Sequence, residues 1–242
     1  ISYLGIESYG LIGLFIILQG LLSLLDMGLS PTLNREMARF RAGVHTPESI
    51  GNLLRSVEIV YLLVAVFIFS LIFSGSSFIA SDWLKIQNLE MNMVIQALKL
   101  MGLILAIRWI GIIYRSAITG LQEHVWLTTC MVFFATIRGI GAIVVLEFIS
   151  PTIQAFFIFQ AAVVLTEVIV LVLKTKLLLP KPKEPVHFSV ESLKHVWKFA
   201  GGMMLITFLA TLLTQVDKVL LSTLLPLAEF GYFSIAVTIA GI

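Results

Sequence analysis

The chain has 242 residues, of which 59% are hydrophobic and 12% carry a formal charge, with a net charge of +2 and a mean hydropathy of +1.03. A soluble domain carries roughly twice that share of charged residues, so a water-soluble globular fold is excluded. The near balance of charge gives no footing for a nucleic-acid partner.

Six apolar runs follow one another, at residues 9–33, 57–79, 94–114, 127–149, 153–173 and 199–225, each with two charges at most. A seventh begins near Phe230. A spanning helix needs about 20 mostly apolar residues, so each run is long enough to cross a bilayer. The expected fold is all-α: a polytopic bundle of about six complete membrane helices plus the start of another. The chain begins with Ile and stops within an apolar stretch, so it reads as an internal piece of a longer protein.

The first run carries Gln19, Ser23, Asp26 and Ser30, spaced to share one helix face. Pro31, after Gly28, is expected to end or bend this helix. The loop that follows is basic, with Arg35, Arg39, Arg41 and Arg55. The second run is nearly featureless between Tyr61 and Phe73, as a lipid-facing helix would be. Residues 74–92 carry a single basic residue, Lys85.

In the third run Arg108 and Arg115 share a face, with Lys99 about half a turn round from Arg108. The fourth holds Arg138 and the lone cysteine, Cys130, which reads as a small residue packed between helices. Its Gly139-Ile140-Gly141 follows no strand, so it is no nucleotide loop; with Ala135 it suits close helix contact. A tight hairpin at Ser150-Pro151 leads to the fifth run, where Gln160, Glu167 and Lys174 are nearly aligned. Residues 178–195, with Pro180, Pro182 and Pro185 among charges, read as a linker between a first bundle (1–177) and a second (196–242). Ser189 and Glu191 offer a helix start, and part of residues 190–198 is expected to lie along the membrane surface. The sixth run places Thr207, Thr211, Thr214 and Lys218 on one face, with Asp217 alongside.

Loop charge sets an orientation. Arg35, Arg39, Arg41, Arg55, Arg115, Lys174, Lys176, Lys181, Lys183, Lys194 and Lys198 fall on one side, against Lys85 alone on the other. Basic loops stay in the cytoplasm. His45, His124, His187 and His195 fall at that edge and are expected to be solvated.

Lys99, Arg108, Arg138 and Lys218 lie within the runs, as do Asp26, Glu167 and Asp217. The bland reading is hydrogen-bond seams between helices. A charge in hydrocarbon is costly, and for these cations on several helices an anionic passenger is the simplest partner. The substrate-cavity candidates are Arg108, Arg138, Lys218, Lys99, Asp26, Gln19 and Asp217. There is no HExxH, CxxC, GxSxG or P-loop, so no catalytic residue, metal ligand or cofactor is expected.

Leu4-Gly5-Ile6-Glu7-Ser8-Tyr9-Gly10, leading to Asp26-Met27-Gly28-Leu29-Ser30-Pro31, resembles the second helix of bacterial polysaccharide flippases. These are the oligosaccharide-lipid exporters of the multidrug and polysaccharide transporter superfamily. Gly120-Leu121-Gln122, Gln215-Val216-Asp217-Lys218 and Phe230-Gly231-Tyr232 match the same pattern. The resemblance implies two bundles around a cationic central cavity, with these helices the second to the eighth. It implies a multi-pass protein of the bacterial inner membrane that moves undecaprenyl-pyrophosphate-linked oligosaccharide to the outer leaflet. Its partners would be that lipid-linked glycan, membrane lipid and polysaccharide polymerases. One alternative is a cation-coupled multidrug antiporter with Asp26 or Asp217 as its proton or sodium site. Another is a membrane polymerase or ligase, which needs large catalytic external loops. Finally, Tyr9-Gly10-Leu11 and Phe230-Gly231-Tyr232 form a weak repeat six helices apart, which predicts halves related by an axis along the membrane normal.

Overall fold

In the computed structural model, residues 5–26, 28–84, 86–87, 89–180 and 185–240 are described. Side chains at 23–25, 192, 195–204, 206–207, 211, 214 and 238–240 lie outside that description, and with them the Ser23 and Thr207, Thr211, Thr214 stripes and His195. Lys85, Lys181 and Lys183 also lie outside it. Among the described residues the chain is all helix, with no strand: α1 (Ile6–Leu25), α2 (Leu29–Arg41), α3 (Pro47–Phe78), α4 (Met91–Gly120), α5 (His124–Phe148), α6 (Ile153–Leu178), α7 (Val190–Leu224) and α8 (Leu227–Ala240). A π-helical turn, Ile79–Trp83, closes α3.

The first apolar run is two helices rather than one. Gly28 adopts the left-handed conformation (φ 72°) and parts α1 from α2. A side chain is disfavoured there, so glycine marks the break. Pro31 neither ends nor bends α1: it sits in the first turn of α2, where its missing N–H costs nothing. The Thr46 side chain caps α3 by accepting the Ser49 N–H at 3.2 Å, with Pro47 in the first turn. Thr152 caps α6 through the Ala155 N–H at 3.3 Å.

α4 is the hub. Val94, Leu98, Met101, Ile104, Leu105, Trp109 and Ile113 are essentially inaccessible, and the helix packs against α1, α2, α3, α5 and α6. Tyr61 of α3 stacks on Trp109 with ring centroids 4.8 Å apart. Facing outward from α3 are Leu62, Leu63, Val66, Phe67 and Leu71, the lipid-facing surface expected of it. α5 leans on α6 and exposes Val132, Phe133, Ile140, Ile143 and Phe148. Close contact falls to Gly141, against Phe159 of α6. A Cβ on Gly139, expected to share it, would meet nothing within 4 Å, and Ala135 is exposed.

α7 is one continuous helix of 35 residues, which joins residues 190–198 to the sixth run without a break. At 1.5 Å per residue it is about 52 Å long, well beyond a hydrocarbon core of about 30 Å. The charges at Glu191, Lys194 and Lys198 therefore ride on helix rather than loop.

α8 lies against α1, and the two run parallel. A Cβ on Gly10 would strike Leu227, one on Gly13 would strike Ser234, and one on Gly231 would lie 2.6 Å from the Ile6 carbonyl oxygen. Small residues let backbones approach this closely.

Candidate functional site

α4, α5 and α6 gather three arginines around one glutamate. Arg108 and Arg115 stand two turns apart on α4, Arg138 comes from α5 and Glu167 from α6. Gly111 lies between the two α4 arginines, and a Cβ there would be 3.0 Å from Val168. Its lack of a side chain lets α6 come close enough for Glu167 to reach both neighbouring helices. Buried Glu167 accepts a hydrogen bond from Arg138 Nη1 at 2.5 Å, and Arg115 Nη1 lies 3.6 Å from its other oxygen.

Arg108 completes the group. Its Nη1 donates to Gln19 Oε1 of α1 at 2.5 Å, and its guanidinium lies 5.5 Å from the centre of the Phe15 ring. It interacts electrostatically with Arg138, Arg115 and Glu167. Its buried Nε has no hydrogen-bond partner among the described residues. Two guanidiniums therefore share one carboxylate, and the third stands by them on Gln19 with a buried donor unmet. Such an excess in a low-dielectric region attracts an anion able to accept several N–H bonds.

The other candidates go elsewhere. Lys218 of α7 lines a small cavity with Gly13 and Ile17 of α1 and Phe230 and Ser234 of α8. It thus meets α1 from the α8 side, whereas Arg108 meets it at Phe15 and Gln19. Lys99 turns toward α3, its Nζ 4.6 Å from the centre of the Phe73 ring, a cation–π contact. Asp217 is exposed. Asp26 is a structural group: it accepts from the Tyr61 hydroxyl, from Ser30 Oγ at 2.9 Å and from the Ser30 N–H at 3.3 Å. It serves the start of α2 and pins it to α3.

Sequence reasoning passed over four groups that the fold uses. Spacing aligns Glu167 with Gln160 and Lys174 but gives it no partner. It stands fifteen residues after Thr152 where Arg138 stands fourteen before, so an in-register hairpin pairs them. Arg115 counts by charge among the loop residues, yet it sits on α4 and reaches Glu167. Glu7, buried at the start of α1, accepts the N–H groups of Gln87 at 3.1 Å and Leu89 at 2.9 Å, tying down the segment after α3. Glu36 of α2, also buried, binds Arg39 Nη1 at 3.2 Å and lies 2.6 Å from His45 Nε2, so the His45 ring is held in a hydrogen bond rather than left to solvent. Burial opposes ionisation of Glu36, but the His45 hydrogen bond and the Arg39 charge outweigh it and hold the carboxyl below its ordinary value.

Among the described residues four helices, α4, α5, α6 and α3 with its π turn, are long and apolar enough to cross a membrane, and ionic groups are buried between them. This is a polytopic helical membrane protein. Residues 2–242 match the family model described as polysaccharide biosynthesis protein, and the chain belongs to that family. Comparison with curated proteins and with solved structures gave no match.

Proposed function

We propose that this chain is the translocating part of a flippase that carries undecaprenyl-pyrophosphate-linked oligosaccharide across the bacterial inner membrane. The observation that carries this reading is the arginine excess at Arg108, Arg115 and Arg138 around the single Glu167. A pyrophosphate supplies clustered acceptor oxygens that guanidinium forks match well. Gln19, beside Arg108, offers an amide to the sugar. Family membership supports a role in polysaccharide assembly by transport rather than by catalysis.

In this reading the basic loops face the cytoplasm. The bundles formed by residues 1–177 and 196–242 rock about the linker 178–195, and α1 is the wall between the arginine cluster and Lys218. The antiporter alternative loses support, because Asp26 is committed to Tyr61 and Ser30 and is poorly placed to take up a passing ion.

The test is export of surface glycan by the intact protein carrying Arg108→Ala, Arg138→Ala or Lys218→Ala. A charge-assisted hydrogen bond is worth about 1.5–3 kcal/mol, so each loss should cut export roughly tenfold or more while membrane insertion is kept. Full export in all three variants refutes the reading and leaves packing as the role of these cations.

A further inference from the structure

A second charged recess lies apart from the arginine cluster, at the basic end of the molecule. It is a cleft of about 560 Å³ between α3, the end of α6 and Val186. Ile50, Leu54, Leu179 and Val186 give it an apolar side, while Arg55 of α3 and Lys176 of α6 supply charge.

Its roof is fixed. The His187 N–H donates to Asn52 Oδ1 and the Ser189 N–H to Ser56 Oγ, both at 2.8 Å, so residues 187–189 are laced to α3. Val186 rests on Gly51, where any Cβ would lie 2.6 Å from it. The cleft is thus held open by backbone contacts and not by the charged groups that line it.

The charge balance points to an anion. Glu58, the acid in the lining, already has both oxygens engaged. One accepts from the Tyr114 hydroxyl at 2.8 Å and the other from Arg55 Nη1 at 3.2 Å. Lys176 makes no ion pair with a described residue. Next to it Leu177 is almost wholly exposed, so this edge of α6 presents an apolar side chain outward. An apolar wall, an ammonium with no ion pair to a described residue and a partly engaged guanidinium therefore meet in one cleft.

We propose that this cleft binds the headgroup of an anionic phospholipid from the leaflet at the basic end. Arg55 and Lys176 would hold the phosphate, and the Ile50, Leu54 and Leu179 wall would take the first carbons of a chain. Basic recesses between membrane helices have this chemistry. The inference stands apart from the flippase reading, because it is tested by lipid binding and not by export.

The experiment uses the intact protein in detergent, with lipid binding followed by native mass spectrometry and by the thermal unfolding midpoint. Phosphatidylglycerol should bind and raise the midpoint, whereas phosphatidylcholine and inorganic phosphate should do neither. Arg55→Gln with Lys176→Gln should weaken phosphatidylglycerol roughly thirtyfold, from two basic contacts near a membrane surface. Leu179→Trp, which fills the cleft from its apolar wall without removing a charge, should also block binding; if the double variant fails to fold, this variant and Lys176→Gln alone decide. Equal binding of phosphatidylcholine would reduce the cleft to an apolar groove, and equal binding of phosphate would make it a site for a free anion. Either result, or undiminished binding in the variants, overturns the proposal.

Discussion

Glu167→Gln tests whether the cluster is held by its single acid. The side chain is 6% exposed, with one guanidinium at 2.5 Å and a second at 3.6 Å. At an effective dielectric of about 20, a charge pair 4 Å apart is worth roughly 4 kcal/mol before desolvation is counted. Losing one partner of a buried pair typically costs about 3–5 kcal/mol, because the remaining charge keeps its desolvation penalty. The variant leaves Arg108, Arg115 and Arg138 facing one another with no carboxylate, so the upper half of that range is expected. Thermal unfolding of the purified intact protein measures the cost. Adding Arg138→Gln should restore part of the loss, since these contacting partners couple by about 0.5–3 kcal/mol. Function should separate from stability: Glu167→Gln makes the cluster more positive and should keep or tighten anion binding, whereas Arg108→Ala should lose it. A stability loss under about 1 kcal/mol, with no recovery in the double variant, would refute the reasoning.

Three further outcomes are expected. Tyr61→Phe removes a buried donor to Asp26 and should cost about 1.5–3 kcal/mol in unfolding experiments, loosening α2 from α3. Because the Glu36 carboxyl is held below its ordinary 4.5, the folded state binds fewer protons there than the unfolded chain. Its contribution is present above that pH and lost as pH falls through the lower folded value, so the stability gap between the protein and Glu36→Gln should shrink on acidification from pH 7 to about 4. In a Cys130→Ala background, an impermeant thiol reagent applied to whole cells should label Lys85→Cys and spare Lys183→Cys; the reverse pattern would overturn the orientation.

The helices were legible wherever a long apolar run was bounded by caps. Thr46-Pro47 opens α3 and Thr152 opens α6, and both signals are local. Two boundaries were hidden for opposite reasons. At Gly28 the apolar pattern continues through the break, so only the left-handed backbone separates α1 from α2. At the start of α7 the pattern turns polar while the helix goes on, because a helix longer than the hydrocarbon core carries its own solvated end. The charges show the same limit. Spacing placed Arg108 and Arg115 on one face but could not say that Lys99 turns to Phe73, since that depends on which helix lies alongside α4. Asp26 looked like a cavity acid because the residues that bind it include Tyr61, on a different helix.

The α1–α8 seam connects these observations. Gly231 and Gly10, Leu227 and Ile6, and Ser234 and Gly13 are each 221 positions apart. Gly10 faces Leu227 while Gly231 faces Ile6, and Gly13 faces Ser234, its own equivalent. Such reciprocal contacts are what a two-fold axis between parallel copies produces, with Gly13 and Ser234 beside the axis. The short repeat seen in the sequence is therefore a contact in space, and its orientation is the one expected for halves related along the membrane normal. Its chemistry is differential. Glycines on both helices allow backbone-close packing at the ends that carry Ile6 and Leu227, whereas farther along α1 the neighbours become Arg108 and Lys218. One helix thus passes from a dry, small-residue seam to a wall flanked by cations. A movement that opened the seam would carry Phe15, Gln19 and Ile17 with it, and so would alter both cationic sites at once.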